Sequence, residues 1–250
     1  MIILHIPHSS ALIPEEDSNL ILLSESELQR ELLRMTDRFT DELFVSEGNK
    51  YHVIKFPISR LIVDPERFLD DSLESMTAVG MGVVYTKTSE GTLLKRTLST
   101  QERKHLIELY YHPHHKTLYD VVSNSLNRHL VATIIDCHSF PSIPLPYENN
   151  QDKNRPDICI GTDLYHTPNW LAEAVHRLFR EKGYTVEFDK PFGGTLVPME
   201  YYKKDARVYS IMIEISRHLY MDENSGEKHS SFNIVKSDIA DVLQLVNSIT

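Results

Sequence analysis

Apolar positions in this chain follow two periodicities, and together they predict an α/β fold. Short runs rich in β-branched residues, bounded by Pro, Gly, Asn or Asp, predict strands, whereas apolar residues spaced three and four apart predict helices. The two kinds of segment interleave, which favours a mixed, mostly parallel sheet flanked by helices, and we expect one domain over residues 1–250. Strands are expected at 2–6, 51–56, 61–63, 130–135, 157–161, 185–188 and 208–215.

Helix starts are marked by local capping signals. Residues 24–27 and 99–102 both match the capping box, in which a serine and a glutamate three positions later satisfy the first backbone N–H groups. The first helix is expected to break at Thr36-Asp37, where Asp37 could cap a second helix. The helix from Ser99 should bend near Pro113. Further helices are expected at about 168–182 and 232–249, loops or a hairpin at 70–98, and a long surface loop at 141–156.

Composition narrows the classes of function. The chain has 26 Lys and Arg against 36 Asp and Glu, a formal charge of −10, which argues against a general nucleic-acid binder. Two cysteines, Cys137 and Cys159, exclude a disulfide scaffold and a CxxC metal site. The first residues lack the basic start of a signal peptide, and no stretch is apolar enough to cross a bilayer. We therefore expect a cytoplasmic protein with neither a nucleic-acid nor a membrane partner.

Residue types that bind metals collect at the ends of three predicted strands. The first strand leads to His8, the strand near 130–135 to Asp136 and His138, and the strand at 208–215 carries Glu214. Ligand sites of open α/β sheets form at the carboxyl ends of strands. Two histidines and a carboxylate hold a catalytic zinc with one position open for water, and a separate carboxylate then acts as general base. The pattern predicts a metal hydrolase.

Each of these residues also has a structural interpretation. His8 could cap a turn, and Asp136 with His138 could form a structural hydrogen bond. Glu214 lies in an apolar strand, where a buried carboxylate must be paired, hydrogen-bonded or protonated; an ion pair with an arginine would suffice. Asp37 and Asp41 could form a solvated face or a cap.

Other candidates have similar alternatives. Salt bridges from Arg60 and Arg67 to Asp64 or Glu66 are the default expectation. The histidines at 112, 114 and 115 are expected on a helix surface or in packing rather than in a metal cluster. The Gly193-Gly194 pair could let backbone approach a substrate, although a plain turn explains it as well.

Taken in order, the motifs of the chain resemble those of the N-formylglutamate amidohydrolase (deformylase) family over about residues 3–222. The resemblance rests on the number, order and spacing of several short motifs rather than on any one of them. The motifs are Ile6-Pro7-His8-Ser9-Ser10, Thr36-Asp37, Asp41-Glu42-Leu43-Phe44, Ser59-Arg60-Leu61-Ile62-Val63-Asp64-Pro65-Glu66-Arg67, Tyr111-His112-Pro113-His114-His115, Asp136-Cys137-His138-Ser139, Asp157-Ile158-Cys159-Ile160-Gly161-Thr162, Phe192-Gly193-Gly194 and Ile213-Glu214-Ile215.

The resemblance implies a fold like that of zinc carboxypeptidases and aspartoacylases, with a site of the same design. It implies that His8, Asp37 and His138 hold one zinc ion and that Glu214 is the general acid and base. Arg67, assisted by Arg60, would grip a carboxylate of the substrate. We add two expectations: Asp136 orients His138 from behind, and Gly193-Gly194 contacts substrate. His115 matches a family histidine and is a further candidate for a supporting position.

The sequence also departs from the family pattern. Glu66 stands where the family has Asn, and a carboxylate there could neutralise Arg67. His114 replaces a tyrosine. The loop at 140–146 is apolar and lacks charged residues for a second substrate carboxylate. These differences bear on the identity of the substrate and leave the metal-binding residues intact.

The sequence thus predicts a zinc-dependent amidohydrolase of a small acidic substrate, an N-formyl or N-acyl amino acid such as N-formylglutamate. Two alternatives stay open: a carboxypeptidase-like metallopeptidase acting on small peptides or cell-wall fragments, and a non-catalytic metal-binding homologue. Iron, nickel or manganese would also suit the expected ligands. The sequence leaves the oligomeric state open.

Overall fold

One six-stranded sheet organises the protein, whose computed structural model describes residues 1–46, 48 and 51–250. The strand order is β2-β1-β3-β6-β4-β5. Neighbouring strands run parallel except β4, which is antiparallel to β6. The fold is therefore the predicted mixed, mostly parallel α/β type. The strands are β1 (Ile2–Ile6), β2 (His52–Lys55), β3 (Ala132–Phe140), β4 (Ile158–Gly161), β5 (Val186–Phe188) and β6 (Val208–Ser216).

Helices cover both faces of this sheet. On one face, α5 and α6 pack against the apolar side chains of β1, β3, β4 and β6. On the other face, Leu118 and Val122 of α4 pack against β1, β2 and β3. Because both faces are covered, β1, β3 and β4 are buried along their whole length. The helices are α1 (Glu25–Met35), α2 (Thr40–Leu43), α3 (Thr100–Leu106), α4 (His112–Arg128), α5 (Asn169–Glu181) and α6 (Phe232–Ile249).

Two helix predictions need adjustment. The helix that begins after Ser99 is interrupted by a π-helical turn at Ile107–Tyr111, just before Pro113, whose missing N–H favours such an irregularity. The break after α1 is observed at Thr36, but Asp37 does not cap α2. Phe39 occupies that position, and the side chain of Asp37 turns inward instead.

The strand predicted at 61–63 is wrong. These residues form a buried turn in which Ile62 N–H donates to the Ser59 carbonyl. These residues are apolar because they belong to a loop that packs into the core. A short apolar run of this kind has the same sequence pattern in a buried loop as in a buried strand. The strand predicted at 130–135 instead covers 132–140, so Asp136 and His138 lie within the sheet. Among the described residues, no helix is long and apolar enough to cross a bilayer.

Candidate metal centre and active site

Three adjacent strands bring polar side chains to one region of the sheet. In the register of β3 and β6, His138 is opposite Glu214, and in that of β1 and β3, His5 is opposite Asp136. His8 follows the end of β1 by two residues. The carboxyl ends of parallel strands therefore converge here, as the sequence predicted.

His8, Asp37 and His138 form one compact buried group. Nδ1 of His138 lies 3.2 Å from Oδ2 of Asp37, and Nδ1 of His8 lies 3.7 Å from the same oxygen. The three side chains are at most 4% exposed. The loop between α1 and α2 brings Asp37 into place, since its backbone N–H donates to the His8 carbonyl at 2.9 Å. The three predicted ligands thus lie together, although they are far apart in sequence.

The donor atoms of this group fit a divalent cation. Nε2–H of His8 donates to Oδ1 of Asp64 at 2.8 Å, which leaves a lone pair on Nδ1. Within the described part of the chain, this buried Nδ1 has no hydrogen-bond partner. Two imidazole nitrogens and one carboxylate oxygen are the donor set of a catalytic zinc, and a carboxylate behind each ligating histidine is typical of such sites.

Asp136 supports His138 in the same way. Nε2 of His138 lies 3.1 Å from Oδ1 of Asp136, two residues away on the same face of β3. The contact leaves Nδ1 of His138 directed at Asp37. The predicted orienting role of Asp136 is therefore compatible with its position.

Arg217 is a site residue that the sequence analysis missed. Its Nη2 donates to Oδ1 of Asp37 at 2.9 Å. Burial alone would raise the pKa of Asp37, but its contacts with His138 and His8 and the charge of Arg217 lower it strongly. Asp37 is therefore an anion at neutral pH. Arg217 lies directly after β6, so the rule on strand ends that selected Glu214 also points to it.

Asp64, which accepts the hydrogen bond from His8, also forms ion pairs with two arginines. Nη2 of Arg60 donates to its Oδ2 at 2.7 Å, and Nε of Arg67 lies 3.5 Å from that oxygen. The Tyr85 hydroxyl donates to the same atom at 2.6 Å. The default expectation of salt bridges to Asp64 is confirmed. Two guanidinium groups share one carboxylate, so one positive charge of this group stays uncompensated by Asp64.

Glu66 does not pair with Arg67 as its place in the sequence suggested. Its Oε2 lies 3.1 Å from Nε2 of His138, and its Oε1 lies 3.5 Å from Nδ1 of His5. No Glu66–Arg67 ion pair occurs among the residues that the structure describes. The expected neutralisation of Arg67 by Glu66 is therefore not observed.

Glu214 lines the same cavity as the three candidate ligands. It is 7% exposed, and its Oε2 has no hydrogen-bond partner in the described chain. Among the described residues, Glu214 forms no ion pair with an arginine. The structure therefore does not support the alternative interpretation of Glu214 as part of a buried ion pair. Burial raises the pKa of Glu214 to about 8. A carboxyl group in this state is suited to exchange protons near neutral pH.

The cavity has a volume of about 300 Å³. Arg60, Arg67 and Arg217 contribute further polar surface. The end of β3 and the loop after it contribute an apolar part, formed by Phe140, Pro141, Leu145 and Tyr147, and a polar part, formed by Glu148, Asn149 and Asn150. The segment 140–146 is apolar, as its sequence indicated. The cavity is large enough for a small amide with more than a formyl substituent.

The remaining candidates are Gly193, Gly194 and His115, of which Gly193 lines this cavity. Gly194 has a φ of +89°, a conformation that favours glycine. The Gly194 carbonyl also approaches Gly161 so closely that a Cβ on Gly161 would lie 2.3 Å from it. His115 does not touch the candidate ligands. Its Nε2–H donates to the Pro65 carbonyl at 2.7 Å, which holds the segment that carries Arg67.

Comparison with known families identifies the family of the chain. The sequence profile of the N-formylglutamate amidohydrolase family matches residues 1–221. The chain belongs to this family. Family membership makes it an amidohydrolase of this kind and confirms the resemblance drawn from the motifs. Among curated protein sequences, none is significantly similar to this chain.

Two solved structures share the fold. The crystal structure of N-formylglutamate amidohydrolase from Ralstonia eutropha JMP134 has a TM-score of 0.84 at 23% sequence identity, with 99% of this chain and 93% of that chain covered. A gene product of Agrobacterium tumefaciens has a TM-score of 0.70 at 20% identity, with coverages of 98% and 91%. At these identities, the likeness concerns the fold.

Proposed function

We propose that the protein is a metal-dependent amidohydrolase that cleaves the amide of an N-formyl or N-acyl amino acid. The observation that carries this proposal is the unpartnered Nδ1 of His8, buried beside Asp37 and His138 in a cavity that also holds the unpartnered carboxyl of Glu214. Family membership supports the reaction class.

His8, Asp37 and His138 would hold the cation, with zinc as the first choice for this donor set. When bound, such a cation polarises the amide carbonyl and lowers the pKa of water. Asp64 and Asp136 each accept a hydrogen bond from Nε2 of one histidine and so direct both Nδ1 atoms towards the proposed cation position beside Asp37. Arg217 holds Asp37 in its anionic form.

Glu214 is the general base and acid of the proposed reaction. Its free oxygen accepts a proton from the attacking water and then transfers it to the departing amine nitrogen. Because the group is buried beside the candidate ligands, it faces the place where both transfers occur. Among the described residues that line the cavity, one other carboxylate, Glu66, has a buried oxygen without a hydrogen-bond partner. Glu66 contacts Nε2 of His138, the ring nitrogen that does not face Asp37.

Arg67, assisted by Arg60, would bind the carboxylate of the substrate. Both side chains line the cavity, and Nε of Arg67 is buried without a hydrogen-bond partner. A guanidinium fork pairs well with a carboxylate. Since Asp64 balances only one of the two arginines, an acidic substrate would complete the charge balance.

The apolar wall of the cavity favours a second candidate substrate class. Phe140, Leu145 and Tyr147 offer surface that a formyl group does not use. Small peptides, cleaved by the same groups in a carboxypeptidase-like reaction, would use it.

A substrate panel on chelator-treated and zinc-reconstituted protein tests these proposals. We expect release of formate from N-formylglutamate, or of the acid from an N-acyl amino acid, only after zinc is restored. His8→Gln should abolish activity and zinc binding at this centre, whereas His112→Gln, the same change at a half-exposed histidine, should alter neither. Cleavage of blocked dipeptides alone would favour the second candidate. Reconstituted protein that is inert on every substrate would support a non-catalytic metal-binding role.

A further inference from the structure

Next to the proposed catalytic centre lies a second cluster of metal-binding side chains, which shares His138 with that centre and adds two residues that the proposed reaction does not use, His5 and Glu66. It comprises His5 on β1, Asp136 and His138 on β3, and Glu66 on the loop after β2. His5 is fully buried, Asp136 is 1% exposed, and the side chain of Glu66 is 16% exposed. Two carboxylates and two imidazoles thus converge in the interior of the protein.

The donor atoms of this cluster lie close enough to one another to share one cation. Nδ1 of His5 lies 2.8 Å from Oδ1 of Asp136, which lies 3.1 Å from Nε2 of His138. Glu66 closes the set, with Oε2 3.1 Å from that Nε2 and Oε1 3.5 Å from Nδ1 of His5. Donors about 2.0 Å from a tetrahedral zinc are about 3.3 Å from one another. The observed distances bracket that value.

Charge and hydrogen bonding also favour a cation here. Glu66 and Asp136 both contact the same two imidazole groups, those of His5 and His138. Oε1 of Glu66 is buried and has no hydrogen-bond partner among the described residues. Uncompensated buried carboxylates are costly, and a divalent cation removes that cost.

His114 supplies the orienting contact that a ligating histidine needs. Its Nε2 lies 2.8 Å from Nε2 of His5. Nδ1–H of His5 donates to Oδ1 of Asp136 at 2.8 Å, and binding of a cation would move that proton to Nε2 of His5, where Nε2 of His114 can accept the hydrogen bond.

We propose that His5, Glu66, Asp136 and Nε2 of His138 form a second divalent-cation site, with the His138 ring between the two cations. The Nε2 proton of His138 passes to solvent when this cation binds. Four protein donors close the site, which is typical of structural zinc, whereas the three-residue centre keeps a position open. The second cation therefore holds β1, β3 and the Glu66 loop together. The proposal shares His138 with the proposed catalytic centre and in that respect rests on the proposed function.

Metal stoichiometry tests the proposal. Full-length protein, stripped with chelator and titrated with Zn²⁺, should bind two equivalents by native mass spectrometry and by competition with a chromophoric chelator. Glu66→Gln and His5→Gln should each bind one equivalent. Glu31→Gln, the same change at a buried glutamate that contacts Ser89 instead, should bind two. Glu66 is the partly exposed ligand, so its variant gives a result even if the His5 variant fails to fold.

The outcomes separate this proposal from the proposed function. One equivalent in the wild-type protein, unchanged by Glu66→Gln, overturns the second site. If that single equivalent disappears in His8→Gln, the catalytic centre stands without the second site. Two equivalents, of which only one disappears in His8→Gln and only one in Glu66→Gln, support both sites.

Discussion

Replacement of Glu214 by glutamine tests the proposed chemistry most specifically. The substitution keeps the volume of the side chain and removes its ability to take a proton. Oε2 of Glu214 makes no hydrogen bond in the described protein, so the amide loses no partner on that atom. Since burial raises the pKa of Glu214 to about 8, the metal-free protein holds a neutral carboxylic acid at pH 7, which an amide replaces closely. We expect normal folding.

The expected loss is in turnover. Removing a general base lowers kcat by about 10²- to 10⁴-fold, which corresponds to about 3–5 kcal/mol of transition-state stabilisation. KM and zinc content should stay within about twofold, because Arg67 and the three candidate ligands are unchanged. In the wild-type enzyme kcat should rise with pH as Glu214 loses its proton. The neighbouring cation lowers the pKa of Glu214, so the midpoint of this rise should lie below pH 8. The variant should show no such rise of kcat with pH.

Three measurements together check this prediction: formate release against pH, zinc content by elemental analysis, and the melting temperature. Glu31→Gln is the matched control, since Glu31 is buried and lies outside the cavity. A Glu214→Gln enzyme with near-normal kcat would remove Glu214 from the mechanism. A variant that loses zinc would show that Glu214 is a ligand instead.

Three further predictions follow from the same contacts. Asp64→Asn should weaken zinc binding by about 10- to 100-fold, because Nε2–H of His8 loses its anionic acceptor; an unchanged dissociation constant in a chelator competition would contradict this. Arg67→Met should raise KM for an acidic substrate by about tenfold or more, with a smaller effect on the corresponding amide, measured by steady-state kinetics. Metal-free protein should lose stability as pH rises from about 5 towards 8 in urea titrations. A carboxyl whose pKa is raised in the folded protein stabilises the fold fully at a pH below the pKa that it has in the unfolded chain. This contribution is lost as the pH rises towards the folded-state pKa of about 8. Glu214→Gln should flatten this dependence of stability on pH, and added zinc should reverse it in the wild-type protein. Equal pH dependences in the metal-free wild-type and variant proteins would refute the raised pKa of Glu214.

The parts of the site that follow regular strands were predictable. Residues at the carboxyl ends of parallel strands converge by geometry, which located His8, His138 and Glu214 from their places in the chain. The same rule extends to Arg217. Asp37 lies on a loop between two helices, where its sequence is equally typical of a helix cap, and only the family resemblance predicts it as a ligand.

The parts that depend on tertiary contacts were not predictable. The apolar run at 61–63 is buried because loops pack over it, although its composition is that of a strand. Glu66 is next to Arg67 in sequence but contacts His5 and His138, and His114 contacts His5 across the interior. Glu66 and His114, the two single residues at which we expect the chain to differ from the family pattern, therefore both contact His5. Such long-range pairs leave no periodic signal in a single sequence.

Anomalous diffraction at the zinc edge from crystals of reconstituted protein tests the central claim most directly. The account predicts a peak bounded by Nδ1 of His8, Oδ2 of Asp37 and Nδ1 of His138, with Glu214 facing the open side. A zinc-loaded protein with no peak among these three atoms would contradict the proposed catalytic centre.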